Sequence, residues 1–164
     1  MYLEYLWATS RGKWVKKDHH KKDRCIFCAI ARGDKSVPSK IVHKDKDMMV
    51  ILNIFPYNPG HLQVVPIKHI QNLDELTKEE FDKFFGLGKK SIKMLKKAMK
   101  PLGFNIGINI GEVAGASIQH LHMQIVPRYK REVGFMEIMA HTKVMPMSLD
   151  EVHKRLKAES HILK

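Results

Sequence analysis

Apolar and polar positions change period several times along the chain, and each change marks an element. Cys25–Arg32 is a compact apolar group stopped by Gly33, which predicts one short helix. Lys40–His43 and Met48–Ile54 read as strands, the second with an unbroken run (Met48, Met49, Val50, Ile51, Leu52) of the kind covered on both faces. Pro56-Tyr57-Asn58-Pro59-Gly60 has the composition of a turn, and His61–Ile67 is a third strand. The period then lengthens to that of a helix. Thr77 with Glu80 is a capping box that opens it. Phe81, Phe84, Phe85, Gly88, Ile92, Leu95 and Met99 recur at three- and four-residue steps as one stripe facing a core. Lys89, Lys90, Lys93, Lys96, Lys97 and Lys100 take the other side, where cations suit a helix C-terminus, and Pro101 and Gly103 end it. Phe104–Ile110 and Ser117–Pro127 read as two more strands with Gly111 and Gly115 between them. Ser148 and Glu151 form a second capping box, at the start of a short C-terminal helix.

Strands, one long helix and strands again predict an α+β domain with a largely antiparallel sheet of about five strands. Three regions follow: a basic extension over 1–24, a central domain over 25–130, and a C-terminal extension with a short helix over 131–164. In the first, Leu3, Leu6, Trp7 and Trp14 are apolar anchors. Lys16, Lys17, Lys21, Lys22 and Arg24, with His19 and His20, make a solvated linker. At 164 residues and 44% hydrophobic the chain can build a core without help from disulfides. A formal charge of +12 and a pI near 9.7 favour anionic partners: nucleic acid, acidic membranes or phosphorylated small molecules. No apolar run approaches a membrane span, and Met1–Arg24 has no secretory pattern. With two cysteines only, the expected setting is cytoplasmic and reducing.

The chemistry concentrates in Ser117-Ile118-Gln119-His120-Leu121-His122-Met123-Gln124-Ile125-Val126-Pro127-Arg128. With a period of two, Leu121, Met123 and Ile125 share one face and His120, His122 and Gln124 the other. Alternate residues lie roughly 6.5 to 7 Å apart along a strand, so the two imidazoles cannot easily serve one phosphorus atom. One is the reactive group and the other does something adjacent. Backbone N–H groups near Gly115 to Ser117 could form an anion nest. Cys25-Ile-Phe-Cys28 is half of a metal site, or a pair of buried apolar thiols.

These residues resemble the histidine-triad (HIT) family of nucleotide hydrolases and transferases. His120-Leu121-His122-Met123-Gln124-Ile125-Val126 matches its signature with Gln124 in place of the third histidine. Cys25-Ile-Phe-Cys28-Ala-Ile, Asn53-Ile54, Pro59-Gly60-His61-Leu62, Pro66-Ile67-Lys68-His69, Asn109, Gly111-Glu112, Gly115 and Ser117 follow the pattern, so the likeness covers residues 25–130. It implies that His122 attacks an α-phosphorus and forms a nucleotidyl-histidine intermediate. Asn109, Ser117 and the N–H groups around Gly115 and Ala116 would hold the α-phosphate. Asn53 would bond the ribose, Phe27 and Ile54 would pack on the base, and His61 would be an orienting partner.

The resemblance also implies a structural zinc on Cys25, Cys28, His69 and His120, with His19 and His20 as alternative ligands, and a homodimer joined at the long helix or neighbouring strands. Branches with Gln at the third position resemble dinucleoside polyphosphate phosphorylases, and the Leu6-Trp7 pair resembles their extensions. The function expected is therefore nucleotidyl transfer at an α-phosphate, with diadenosine tetraphosphate phosphorolysis as its specific form. Its rivals are a nucleoside phosphoramidase, a dinucleotide hydrolase, and a non-catalytic nucleotide- or RNA-binding module. Nucleic acid is not favoured, because the basic residues are not interleaved with base-stacking aromatics. His43, His141, His153 and His161 carry no spacing argument and are expected at the surface.

Overall fold

The computed structural model describes residues 25–130 and 132–164. The expectations for residues 1–24, His19 and His20 included, lie outside the described residues. Five strands form one antiparallel sheet: β1 (Lys40–Lys44), β2 (Met48–Leu52), β3 (Leu62–Pro66), β4 (Gly103–Ile108) and β5 (Met123–Arg128). Their order is β1-β2-β3-β5-β4, which puts β4 at an edge. Helix α1 (Ile26–Arg32) precedes the sheet and α2 (Lys78–Met99) separates β3 from β4. Helices α3 (Phe135–Ala140) and α4 (Leu149–Ala158) follow β5. The architecture is α+β, as the pattern predicts. No helix among the described residues is long and apolar enough to cross a membrane.

Both faces of the sheet are covered, which explains the unbroken apolar run of β2. Met48, Val50 and Leu52 point to a core shared with Leu62, Val64, Met123 and Ile125, closed by Phe84, Met94 and Leu95 of α2. Val152 and Leu156 of α4 and the nearby Leu163 join that core. Met49, Ile51 and Val65 point the other way, against Cys25, Phe27, Cys28 and Ile30 of the α1 segment. Where α2 crosses β5, a Cβ on Gly88 would come within 2.8 Å of Met123 Sδ, so the missing side chain permits the close approach.

Several boundaries differ from expectation. The strand expected from Ser117 begins only at Met123. The stretch before it is tied to the loop after β3: the Leu121 N–H donates to Ile70 O at 2.7 Å and His120 Nε2 to Pro66 O at 2.9 Å. The long helix has its capping box at Thr77 and Glu80, but its buried line is Phe84, Leu87, Gly88, Ser91, Met94 and Leu95. Phe81 and Phe85, expected to face the core, are 41% and 40% exposed. At α4 only half of the expected box forms: the Ser148 hydroxyl accepts from the Glu151 N–H, while the Glu151 carboxylate pairs with Arg155. Helix α3 was not expected. Of the four histidines expected at the surface, His141 and His161 are exposed. His43 and His153 are half-buried, His153 Nε2 bonding Ile41 O at 2.9 Å and His43 facing Asp45 at 3.6 Å.

Candidate active site and metal centre

Cys25 is the N-cap of α1 and Cys28 lies in its first turn, a three-residue step that puts both thiols on one side. His69 comes from the loop after β3 and His120 from the stretch before β5. Cys25 Sγ is 3.3 Å from His120 Nδ1, Cys28 Sγ is 3.6 Å from the same nitrogen, and Cys28 Sγ is 3.2 Å from His69 Nδ1. The four donor atoms lie within 4.8 Å of one another. Because the Pro66 carbonyl can only accept, His120 carries its proton on Nε2 and turns the Nδ1 lone pair to the sulfurs. Burial, helped by the nearby His69 and His122 rings, holds the His120 pKa down at about 4 against the opposing bond to Pro66. It is therefore neutral near pH 7, the state a metal ligand needs.

His122 has the opposite tautomer. Its Nδ1 lies 2.8 Å from the carbonyl oxygen of His120, so Nδ1 bears the hydrogen and Nε2 keeps a lone pair. Phe27 packs against both rings, at 5.6 Å from His120 and 5.2 Å from His122 between centroids. One residue, His120, thus offers its ring to the four-donor cluster and its carbonyl to the histidine two positions on.

His122 opens into a cleft of about 850 Å³, mouth included. Of the residues expected at the site, Phe27, Asn53, Ile54 and Ser117 line the cleft with it. Asn109, Gly115 and Ala116 belong to the loop leading to Ser117, and Asn109 Nδ2 donates to Gly115 O at 3.2 Å. The N–H groups expected to make an anion nest serve the loop itself: Gly115 to Glu112 O, Ala116 to Gly111 O and Ser117 to Gly115 O. His61, expected as an orienting partner, directly precedes β3 and is fully buried. Its Nδ1 accepts from the Tyr57 N–H at 3.2 Å and faces Asn53 Nδ2 at 3.3 Å, with Tyr57 stacked on the ring.

Gln124 is half-buried on β5, where it sits opposite Gln63 on one side and Gly107 on the other. Gln63 is among the cleft residues that the sequence reading missed; it is 8% exposed and lines the cleft. Its signal was present, as the one polar side chain inside Leu62-Gln63-Val64-Val65-Pro66.

Comparison with known proteins matches this geometry. The HIT-domain family model fits residues 34–131, more than half of the chain. The AP-4-A phosphorylase of Mycobacterium tuberculosis is 32% identical over 164 residues, covering 96% of this chain and 84% of that protein. An uncharacterised HIT-like protein of Methanocaldococcus jannaschii is 40% identical over 133 residues, covering 81% and 98% respectively. Among solved structures, a Zn-bound histidine-triad family protein from Mycobacterium smegmatis superimposes with a TM-score of 0.71 at 26% identity, covering 86% of this chain and 96% of its own. The chain belongs to the HIT family of nucleotide-processing proteins.

Proposed function

We propose that this chain transfers a nucleotidyl group from a dinucleoside polyphosphate to inorganic phosphate through His122. The observation that carries the reading is the 2.8 Å contact of His122 Nδ1 with the His120 carbonyl, which leaves Nε2 as the nucleophile at the cleft. With diadenosine tetraphosphate, Nε2 forms a bond to one α-phosphorus and the bridging oxygen leaves with ATP. Phosphate oxygen then attacks the same phosphorus, the P–N bond breaks, and ADP departs. Asn109 and Ser117 hold the α-phosphate oxygens, where they meet charge that grows in the transition state. Gly115 and Ala116 take part only when their N–H groups turn from the loop's own carbonyls. Asn53 bonds the ribose hydroxyls, held by His61, while the base packs on Phe27 and Ile54.

Gln124 favours phosphate over water as acceptor in this scheme. An amide makes fixed hydrogen bonds to phosphoryl oxygens and cannot take a proton from water as imidazole can. The similarity to an AP-4-A phosphorylase supports the same choice.

Zinc suits the four-donor cluster. A tetrahedral ion with zinc's bond lengths sets sulfur–nitrogen edges at about 3.5 Å, and the cluster shows 3.2 to 3.6 Å. Cys25, Cys28, His69 and His120 would hold it, and with four protein ligands it would be structural, joining α1 to the residues before β5. A homodimer through the β4 edge completes the reading.

The test is incubation with diadenosine tetraphosphate and labelled phosphate, comparing the wild type with His122→Ala. Label appears in ADP with the wild type, and the variant loses about 10⁴-fold or more of kcat. Turnover without label would make the protein a hydrolase. Turnover only of a nucleoside phosphoramidate would make it a phosphoramidase. Binding without turnover, collapsing steeply with salt, would make it a nucleic-acid module.

A further inference from the structure

The cleft beyond His122 is walled by apolar side chains: Ile26, Phe27, Ile30 and Val37 from the α1 side, and Ile51 and Ile54 from the β2 side. Into this wall β3 delivers one amide. Gln63 pairs in register with Ile51 and with Gln124, so these three side chains share a face of the sheet. The residue is 8% exposed, and its amide, which makes no hydrogen bond with a described residue, keeps its access to solvent at the cleft it lines. Its donor and acceptor are therefore present for something that enters the cleft.

We infer that Gln63 is the base-specificity residue of the cleft, reading the amino-bearing edge of adenine, an assignment that rests on the nucleotide reading above. The amide oxygen accepts from the 6-amino group and the amide nitrogen donates to a neighbouring ring nitrogen, the bidentate pairing that this side chain makes with adenine elsewhere. One amide satisfies that edge. Guanine would bring a carbonyl, a ring N–H and an amino group into the same apolar wall, and at least one would be buried unpaired. Cytosine offers the amide the same amino and ring-nitrogen pair but brings a 2-carbonyl into the wall, uracil brings two carbonyls, and either ring is too small to fill the wall. An aliphatic residue at position 63 would still bind a flat ring by burial but could not tell one base edge from another.

Titration calorimetry on the protein as purified tests this without turnover, using AMP, GMP and purine riboside 5′-monophosphate, which lacks the 6-amino group. Wild type binds AMP about tenfold or more tightly than either analogue. In Gln63→Leu and in the closer-shaped Gln63→Met, the preference over the des-amino analogue falls to about onefold, while that analogue binds as tightly as to wild type. A variant that retains the wild-type preference for AMP overturns the role of Gln63 alone, as does equal binding of the three nucleotides by wild type. If wild type binds no nucleotide, the nucleotide reading falls and the base assignment with it. Two variants with different side-chain shapes, checked by unfolding temperature, separate lost recognition from lost packing.

Discussion

Burial alone would push the Glu132 carboxyl above its ordinary range, but the Arg128 guanidinium, the Tyr129 N–H and the Asn58 amide outweigh it and bring its pKa down to about 2. Asn58 also donates to Pro127 O at 2.8 Å, so this one carboxylate ties the chain after β5 to the turn before His61. A carboxyl whose pKa is depressed on folding stabilises the fold above its unfolded value and loses that contribution as pH falls through the folded one. The unfolding temperature should therefore fall between about pH 4.5 and pH 2. Glu132→Gln should start lower at pH 7 and lose less across that window; parallel curves for the two proteins would refute the assignment. Legibility differs among residues on the same physical grounds. His122 stood out because two imidazoles alternating with apolar residues are rare and chemically pointed. Gln63 did not, because a lone amide in an apolar strand looks the same in sequence whether it faces a ligand, water or a neighbouring amide. Only the register opposite Ile51 and Gln124 distinguishes these cases.

Strand β4 (Gly103-Phe104-Asn105-Ile106-Gly107-Ile108) pairs with β5 on one side and closes the sheet order on the other. Proteins protect exposed edges with charge, proline or bulges, and this strand has no charged residue or proline, while Ile106 is 50% exposed. Such an edge suits a second copy of the chain, which supports the homodimer. Sedimentation should give a mass near twice 19.0 kDa for the wild type and near 19.0 kDa for Ile106→Lys; a monomeric wild type would remove the dimer from the reading. Among elements, β2 and the capped start of α2 were the easiest to read, since a five-residue apolar run followed by a turn, and a Thr–Glu pair opening a long helical stripe, are each supported by a second signal. The start of β5 was not, because alternation reports an extended backbone and says nothing of whether it pairs. Residues 117–120 bend, with the His120 N–H on Ile118 O, and the His120 ring and Leu121 N–H bond Pro66 O and Ile70 O instead of a strand ladder. The phase of α2 was ambiguous for another reason: Phe81, Phe84, Phe85 and Gly88 make a valid stripe, but the face that packs is turned toward Leu87, Ser91 and Met94, and the small Gly88 and Ser91 mark it.

Across the whole molecule, the four-donor cluster joins parts that no strand ladder connects. Cys25 and Cys28 carry the α1 wall of the cleft, His69 the loop after β3, and His120 the stretch holding His122, with Cys25 and His120 separated by 95 positions. That stretch is otherwise tied to the fold by the hydrogen bonds to Pro66 and Ile70, by Leu121 in the core and by Phe27 against both histidine rings. An ion bound only by the folded state stabilises it by about 4 kcal/mol when free metal stands a thousandfold above its dissociation constant. For a chain of this size that is roughly 8 to 16 °C in unfolding temperature. Elemental analysis should find one zinc per chain, and a strong chelator should lower the unfolding temperature by that amount. Cys25→Ser and Cys28→Ser should lower it similarly and make it indifferent to chelator. Protein purified without metal, with an unfolding temperature that chelator leaves unchanged, would make the two thiols plain core residues. The unfolding temperature is the right readout because the ion would act on His122 only through the backbone of His120: its loss should loosen the cleft's wall and His122 together, before any question of chemistry arises.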